Sequence, residues 1–359
     1  MVLAAPPTRS FSSDNAAGVH PAVLEAVGRA NVGHAVAYGD DAWTRACQAQ
    51  FQELFGADTT TLLTFGGTGA NILGLATMLG PAEAVVCSRW AHIAVDETGA
   101  PERILGAKII ELPSDDAKLH PDQLDGLTHL LGVEHHAQPG VVSITQSTEL
   151  GTVYTADEVG ALCQRAHRYG MRVHMDGARI ANAVAALGGT IAALRAFTVE
   201  AGVDVLTFGG TKNGMLGGDA VVYLAPELAR SARFVRKQVT QLPSKMRFVA
   251  AQFSALLDGD LWIALAAHAN VKARELYALT SEIPGVVHAQ SPRVNSVFPR
   301  IPAGSIEPLQ AWCFFWPWDA ATCQVRWMTA WDTTDADVAT FAAGVRQVVG
   351  AAVAHPTSR

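Results

Sequence analysis

Cysteine is scarce in this chain, and what there is lies scattered. Cys47, Cys87, Cys163, Cys313 and Cys323 are spread over 359 residues with no Cys-x-x-Cys pair. An odd number at such spacing fits neither a disulfide framework nor a structural zinc site, and a reducing, cytoplasmic compartment is the expectation. Basic runs are missing too. The formal net charge is −7, so no nucleic-acid-binding surface is expected. The opening Met1 to Ser10 lacks a basic segment followed by a long apolar one, which argues against a signal peptide. The aromatic-rich stretch Ala311 to Trp318 is broken by Pro317 and followed by Asp319, too short to cross a bilayer. No internal repeat or low-complexity linker is evident.

Two glycine fingerprints are also absent. Thr60 to Phe65 reads as a strand, Gly66-Gly67-Thr68-Gly69 as a turn and Ala70 to Met78 as a helix. Ile72 stands where the third glycine of Gly-x-Gly-x-x-Gly belongs, and no Gly-Lys-Ser/Thr follows. A dinucleotide or Walker-type nucleotide is therefore poorly supported. A strand, glycine turn and helix still present free N–H groups to a phosphate, although glycine serves a purely steric turn equally well.

What is present is an apolar, folded chain. It is 49% apolar and 16% charged, with length for two domains and a large core. Strands are expected at 84–88, 107–112, 141–145, 172–176 and 204–208, separated by helices such as 121–130, 156–168 and 191–201. That alternation predicts an α/β fold with a largely parallel central sheet. An N-terminal arm around Phe11 to Asn15 precedes helices at 21–30, opened by Pro21, and 42–55. The stretch 227–281 reads as mostly helical. Strands at 296–301, 312–316 and 324–331 and a final helix at 335–352, capped by Thr334, predict a smaller α+β domain. The expected division is 1–255 for the arm and large domain, and 256–359 for the small one.

In parallel sheets, ligands sit at the carboxyl ends of the strands. Gly67, Asp176 and Lys212 all lie at such ends. Lys212 follows the strand Val203 to Phe208 and Gly209-Gly210, ahead of a second strand, Asp219 to Leu224. Alone, such a lysine is a solvated turn residue. In a cleft it is an amine ready to form a Schiff base. His174 and Asp176 share a strand face, but no third metal ligand stands at helpful spacing, so no metal is expected. An anion cradle, an acid and a lysine are together what pyridoxal 5'-phosphate (PLP) needs: a phosphate site, a partner for the ring nitrogen and an amine for the aldehyde. His92 is the candidate to stack on the ring.

The chain resembles the threonine aldolases of low-specificity L-threonine type, in the β-eliminating lyase group of fold-type I PLP enzymes. The residues that carry the resemblance are Ser13-Asp14-Asn15, Tyr38-Gly-Asp-Asp41, Gly67-Thr68-Gly69-Ala70-Asn71, His174-Met-Asp-Gly-Ala-Arg179, Thr211-Lys212 and Val325-Arg-Trp-Met-Thr329. The resemblance implies a large domain with a mostly parallel sheet and a small C-terminal α+β domain. It implies retro-aldol cleavage of L-threonine, L-allo-threonine or related β-hydroxy-α-amino acids to glycine and an aldehyde. Lys212 would carry the cofactor and Asp176 would keep its ring nitrogen protonated. Arg179 would sit near the ring hydroxyl and the substrate carboxylate, Gly67 and Thr68 would hold the phosphate, and His92 would stack on the ring. Ser13 and Arg326 would bind the substrate carboxylate. Tyr38 and Arg247 match segments that reach the site from a neighbouring subunit, in a homo-oligomer (a dimer or a homotetramer) with shared active sites. His136, His92 or a water held by them would be the base. The family commonly has Glu-Asn-Thr-His where this chain reads Gln146-Ser147-Thr148-Glu149. Another PLP reaction, such as β-elimination, racemisation or transamination, is the near alternative. A non-catalytic ligand-binding protein is a remote one.

Overall fold

The computed structural model describes residues 3–354. They form two compact units, one of residues 19–263 and one of residues 3–18 with 264–354. The larger unit is built on a seven-stranded sheet of order β1-β7-β6-β5-β4-β2-β3. Its strands are β1 (Thr60–Thr64), β2 (Glu83–Ser88), β3 (Lys108–Leu112), β4 (Gln138–Thr145), β5 (Arg172–Gly177), β6 (Val205–Gly209) and β7 (Asp219–Tyr223). β7 runs antiparallel to both its neighbours, and the remaining pairs are parallel. The expected parallel sheet is therefore present. Leu62, Val85, Val141, Val205 and Val221 are buried in one cluster with Leu73 and Leu75 of the helix Gly67–Met78. A second layer contains Phe51, Phe208, Phe253 and Trp262, whose rings meet at 5.3–6.4 Å between centroids. Such tilted contacts suit the aromatic quadrupole.

The smaller unit carries a short antiparallel sheet: β8 (Val287–His288), β9 (Ser296–Val297), β10 (Pro299–Arg300), β11 (Trp316–Asp319) and β12 (Gln324–Met328). The expected strand at 312–316 is corrected. A helix, Ala303–Trp312, runs up to it, and the strand begins at Trp316. The aromatic residues there read as β-formers, but Trp312 ends the helix and stacks on Phe341 at 6.2 Å. The closing helix is Asp335–Ala354, and the Thr334 hydroxyl accepts the Asp337 N–H at 3.2 Å, the expected cap.

The expected domain division needs two corrections. The boundary lies after Ile263 rather than at 255. The arm belongs with the C-terminal unit, because Phe11 is fully buried there and stacks on Phe341 at 4.2 Å. Arg9 adds contacts to Asp332 at 3.0 Å and Asp337 at 3.1 Å. Two helical stretches, 246–281 and 335–354, have the length and apolarity of a membrane span, but about half of each is buried as core.

Two glycines let β5 and β6 converge at their carboxyl ends. A Cβ on Gly177 would stand 2.4 Å from the Thr207 carbonyl oxygen, and one on Gly209 would stand 2.4 Å from that of Ala178. No L side chain fits at either place. Gly28, in the helix Pro21–Ala30, has open space around it instead. Gly209→Ala is expected to lower stability by about 1–3 kcal/mol or more through overpacking. Gly28→Ala should raise it by about 0.5–1 kcal/mol. Urea unfolding of the two variants checks both signs.

Candidate active site

One cleft at the carboxyl end of the large sheet is lined by Gly67, Thr68, His92, Asp176, Arg179 and Lys212. Six residues expected to meet in a site from sequence thus do meet. Asn71, Glu97, Thr145, Ser147, Glu149 and Ala178 complete the lining.

Each wall has a local cause. The helix Gly67–Met78 starts directly after β1, its N-cap is Gly66, and no side chain caps it. The first N–H groups of a helix have no partner within it, so the wall at Gly67 and Thr68 is suited to an anion. This helix also carries Asn71, one turn along. Gly74 lets it lie close on the sheet, since a Cβ there would meet the His174 ring at 3.3 Å.

Asp176, at the end of β5, is 4% exposed. One carboxylate oxygen accepts the Ala178 N–H at 2.9 Å and the other accepts the Asn71 amide at 2.8 Å. Burial pushes this carboxyl up. The Ala178 N–H, the Asn71 amide and the charges of Lys212 and His92 outweigh it and hold the group below the usual carboxylate range. Asp176 is thus an anion out of water. Asn71 is itself fixed on three sides. Its Nδ2 also donates to Glu97 Oε1 at 2.9 Å, and its Oδ1 accepts the Thr207 hydroxyl at 3.0 Å.

His92 opens a short helix after β2. Its Nδ1 meets the same Glu97 oxygen at 2.9 Å, which leaves Nε2 on the other side of the ring. The Glu97 bond raises the His92 pKa, against burial and the Lys212 charge. Glu149 follows β4 and holds His92 from behind, since its Oε1 accepts the His92 backbone N–H at 2.8 Å and the Thr145 hydroxyl at 2.8 Å.

Lys212 sits in the turn Thr211–Asn213 between β6 and β7. Asp219, at the start of β7, accepts the Gly210 N–H at 3.2 Å and the Thr211 hydroxyl at 3.3 Å. Burial raises the Asp219 pKa to about 6, with Lys212 acting against it. The glycine pair is steric as well, since a Cβ on Gly210 would meet the Met215 sulfur at 2.2 Å.

Other expected site residues lie elsewhere. His136 is exposed in the loop before β4, at the amino end of a strand whose carboxyl end forms the cleft. It is not a member of this site, and its assignment as the base is corrected. Its nearness in sequence to β4 was misleading because a strand of eight residues separates it from the cleft. Arg247 donates to the Val32 carbonyl at 2.9 Å and lies over the Trp43 ring. Tyr38 is 46% exposed with Lys237 over its ring. Neither lines the cleft of its own chain. Ser13 and Arg326 belong to the smaller unit, where the Arg326 guanidinium donates to the Ser12 carbonyl at 3.4 Å. His174 is fully buried between the Ser143 hydroxyl at 2.9 Å and the Thr207 hydroxyl at 3.3 Å. Burial lowers its pKa to about 4, so it is a neutral structural group. Among the described residues no cluster of three or more His, Cys, Asp or Glu could hold a metal ion.

Sequence reasoning missed the roles of Asn71, Glu97 and Glu149. Asn71 stood inside the glycine-turn segment, and Glu149 within the departure from the family's pattern. Nothing in the sequence marked Glu97, whose role depends on a turn that folds it back on His92.

The set fits PLP chemically: a bare helix N-terminus for phosphate, a buried anion for a pyridinium, an imidazole and a lysine amine. A low specificity L-threonine aldolase of Pseudomonas sp. is 40% identical over 347 residues, 96% of this chain and 99% of that protein. A solved threonine aldolase of Leishmania major has a TM-score of 0.87 at 29% identity, covering 95% of this chain and 99% of that one. A serine palmitoyltransferase of Sphingomonas wittichii, with a TM-score of 0.74 at 16% identity over 96% of this chain and 88% of that one, shares the fold alone. The architecture is that of fold-type I enzymes, as the resemblance implied. The model of the Beta-eliminating lyase family matches residues 10–302, and this chain belongs to that family.

Proposed function

We propose that this chain binds PLP and cleaves L-threonine, L-allo-threonine and related β-hydroxy-α-amino acids to glycine and an aldehyde. The observation that carries this reading is Asp176, a carboxylate kept ionised in a buried cleft that Lys212 also lines. The 40% identity to a low specificity L-threonine aldolase over nearly the whole chain supports the choice of reaction.

Gly67 and Thr68 would hold the phosphate, Asp176 the ring nitrogen, Lys212 the aldehyde carbon and His92 the ring face. Arg179 would meet the ring hydroxyl and the substrate carboxylate. PLP supplies an electron sink for the pair released from the Cα–Cβ bond. The chain's own residues set the stage for that. Asp176 keeps a positive charge opposite it, because a buried anion strongly favours a protonated partner. Ser13 and Arg326 would bind the substrate carboxylate, as the resemblance implies, the guanidinium through a two-pronged contact that fixes orientation. Tyr38 and Arg247 would be supplied by a second copy of the chain, a homo-oligomer consistent with exposed Tyr38, Phe65, Leu216 and Phe234. The cytoplasmic location is part of the same proposal and rests on the cysteine spacing.

Lys212→Ala should abolish both the visible absorbance of the bound cofactor and aldehyde release from L-threonine. A variant keeping both would remove Lys212 from its role. Release of ammonia or a keto acid, in place of glycine and acetaldehyde, would point to another PLP reaction. Asn71→Leu tests the support of Asp176. Losing a hydrogen bond to a charged group, about 1.5–3 kcal/mol, should reduce kcat by about 10–100-fold while the chain stays folded. Steady-state kinetics with circular dichroism would read this out, and an unchanged kcat would make Asn71 dispensable.

A further inference from the structure

The cleft holds a carboxyl group to which the roles above give a positioning task through one oxygen only. Glu149 is tethered through Oε1 by two donors, the His92 N–H and the Thr145 hydroxyl, each at 2.8 Å. Its Oε2 is shielded from solvent and has no hydrogen-bond partner. The residue lines the same cleft as Lys212, Asp176 and Arg179. Buried polar atoms are almost always paired, so an unpaired one on a cleft wall marks a place that a ligand atom completes. The competing groups are engaged or distant. The His92 Nδ1 is tied to Glu97 and its ring is the one that would stack on the cofactor, and His136 lies at the amino end of β4, opposite the end that forms the cleft.

We propose that Glu149 is the catalytic base that takes the β-hydroxyl proton of the substrate, an inference that rests on the aldolase reading above. The proton passes from the β-oxygen to Oε2. The O–H electron pair becomes the second bond of the new aldehyde carbonyl. The Cα–Cβ bond breaks, and its pair stays on the Cα side. The aldehyde departs, and the protonated Glu149 returns its proton to solvent, or to the alkoxide in the reverse direction.

The surroundings suit a base working near neutrality. Burial raises the Glu149 pKa to about 7, and the Asp176 charge pushes the same way, while the Thr145 hydroxyl and the His92 N–H oppose them. The other groups of the cleft are His92 and Glu97 after β2, Arg179 after β5 and Lys212 after β6. Cys87 and Tyr154 also feel the Glu149 charge, and burial raises the pKa of both, so they stay neutral. Only the ionised carboxylate accepts a proton. Activity should therefore rise as pH rises through about 7 and be lost below it.

Glu149→Gln is the direct test, because the amide oxygen keeps an acceptor for both donors and loses the basicity. In the holoenzyme, kcat for L-threonine should fall by about 10²–10⁴-fold. Exchange of the glycine α-proton with solvent involves no β-hydroxyl and should persist, as should the bound-cofactor absorbance. The acid limb of the pH profile should vanish. Undiminished threonine cleavage overturns the proposal, and so does an equal loss of cleavage and glycine exchange. Thr145→Val gives a second handle if Glu149→Gln does not fold. Removing that hydroxyl should move the acid limb to higher pH, and an unmoved limb overturns the proposal. Wild-type enzyme that cleaves no threonine sinks the aldolase reading and this inference together. Wild-type cleavage matched by Glu149→Gln sinks this inference alone.

Discussion

The site depends on keeping one carboxylate ionised out of water. Desolvating such a group costs several kcal/mol even after relaxation, and in most settings it would take up a proton instead. Asp176 avoids this through the Ala178 N–H and the Asn71 amide, assisted by the nearby Lys212 and His92 charges. Asn71 couples that solution to the rest of the cleft. It lies on the helix whose bare start forms the anion wall, it reaches Glu97, and Glu97 holds His92. The anion wall, the acid and the imidazole are therefore positioned by a single hydrogen-bonded chain.

The same constraint separates the acids by role. Asp176 and Glu149 line one cleft, and the Asp176 charge raises the cost of ionising Glu149. Asp176 has an amide and an N–H placed against both oxygens, and it stays charged. Glu149 has donors on one oxygen only, and its pKa rises to about 7. Two carboxyls whose environments push them apart divide the work between a permanent charge and a proton carrier.

Much of this was legible in the sequence. Strand ends that carry Gly67, Asp176 and Lys212 could be read because apolar β-branched runs stop at glycine or acid, and parallel sheets gather such ends. The first turn of the helix Gly67–Met78 was not, because its glycines read as loop although the backbone there is already helical. His136 misled because nearness in sequence to a strand says nothing about which end of that strand forms the cleft. The arm was placed in the wrong unit because a lone Phe11 among polar residues carries no periodicity, and only its stack on Phe341 reveals its partner. Glu97 and Asn71 escaped notice as a pair, since their hydrogen bond to each other spans 26 positions and depends on the fold.

The proposed chemistry turns on the charge of Asp176, and Asp176→Asn removes that charge with little change of shape. The decisive measurement is the visible spectrum of the purified variant alongside its rate of acetaldehyde release from L-threonine. The cofactor band should survive, because Lys212 and the helix start remain, while the rate falls on the order of 10²-fold or more. A variant that cleaves threonine at the wild-type rate with its spectrum intact would contradict it.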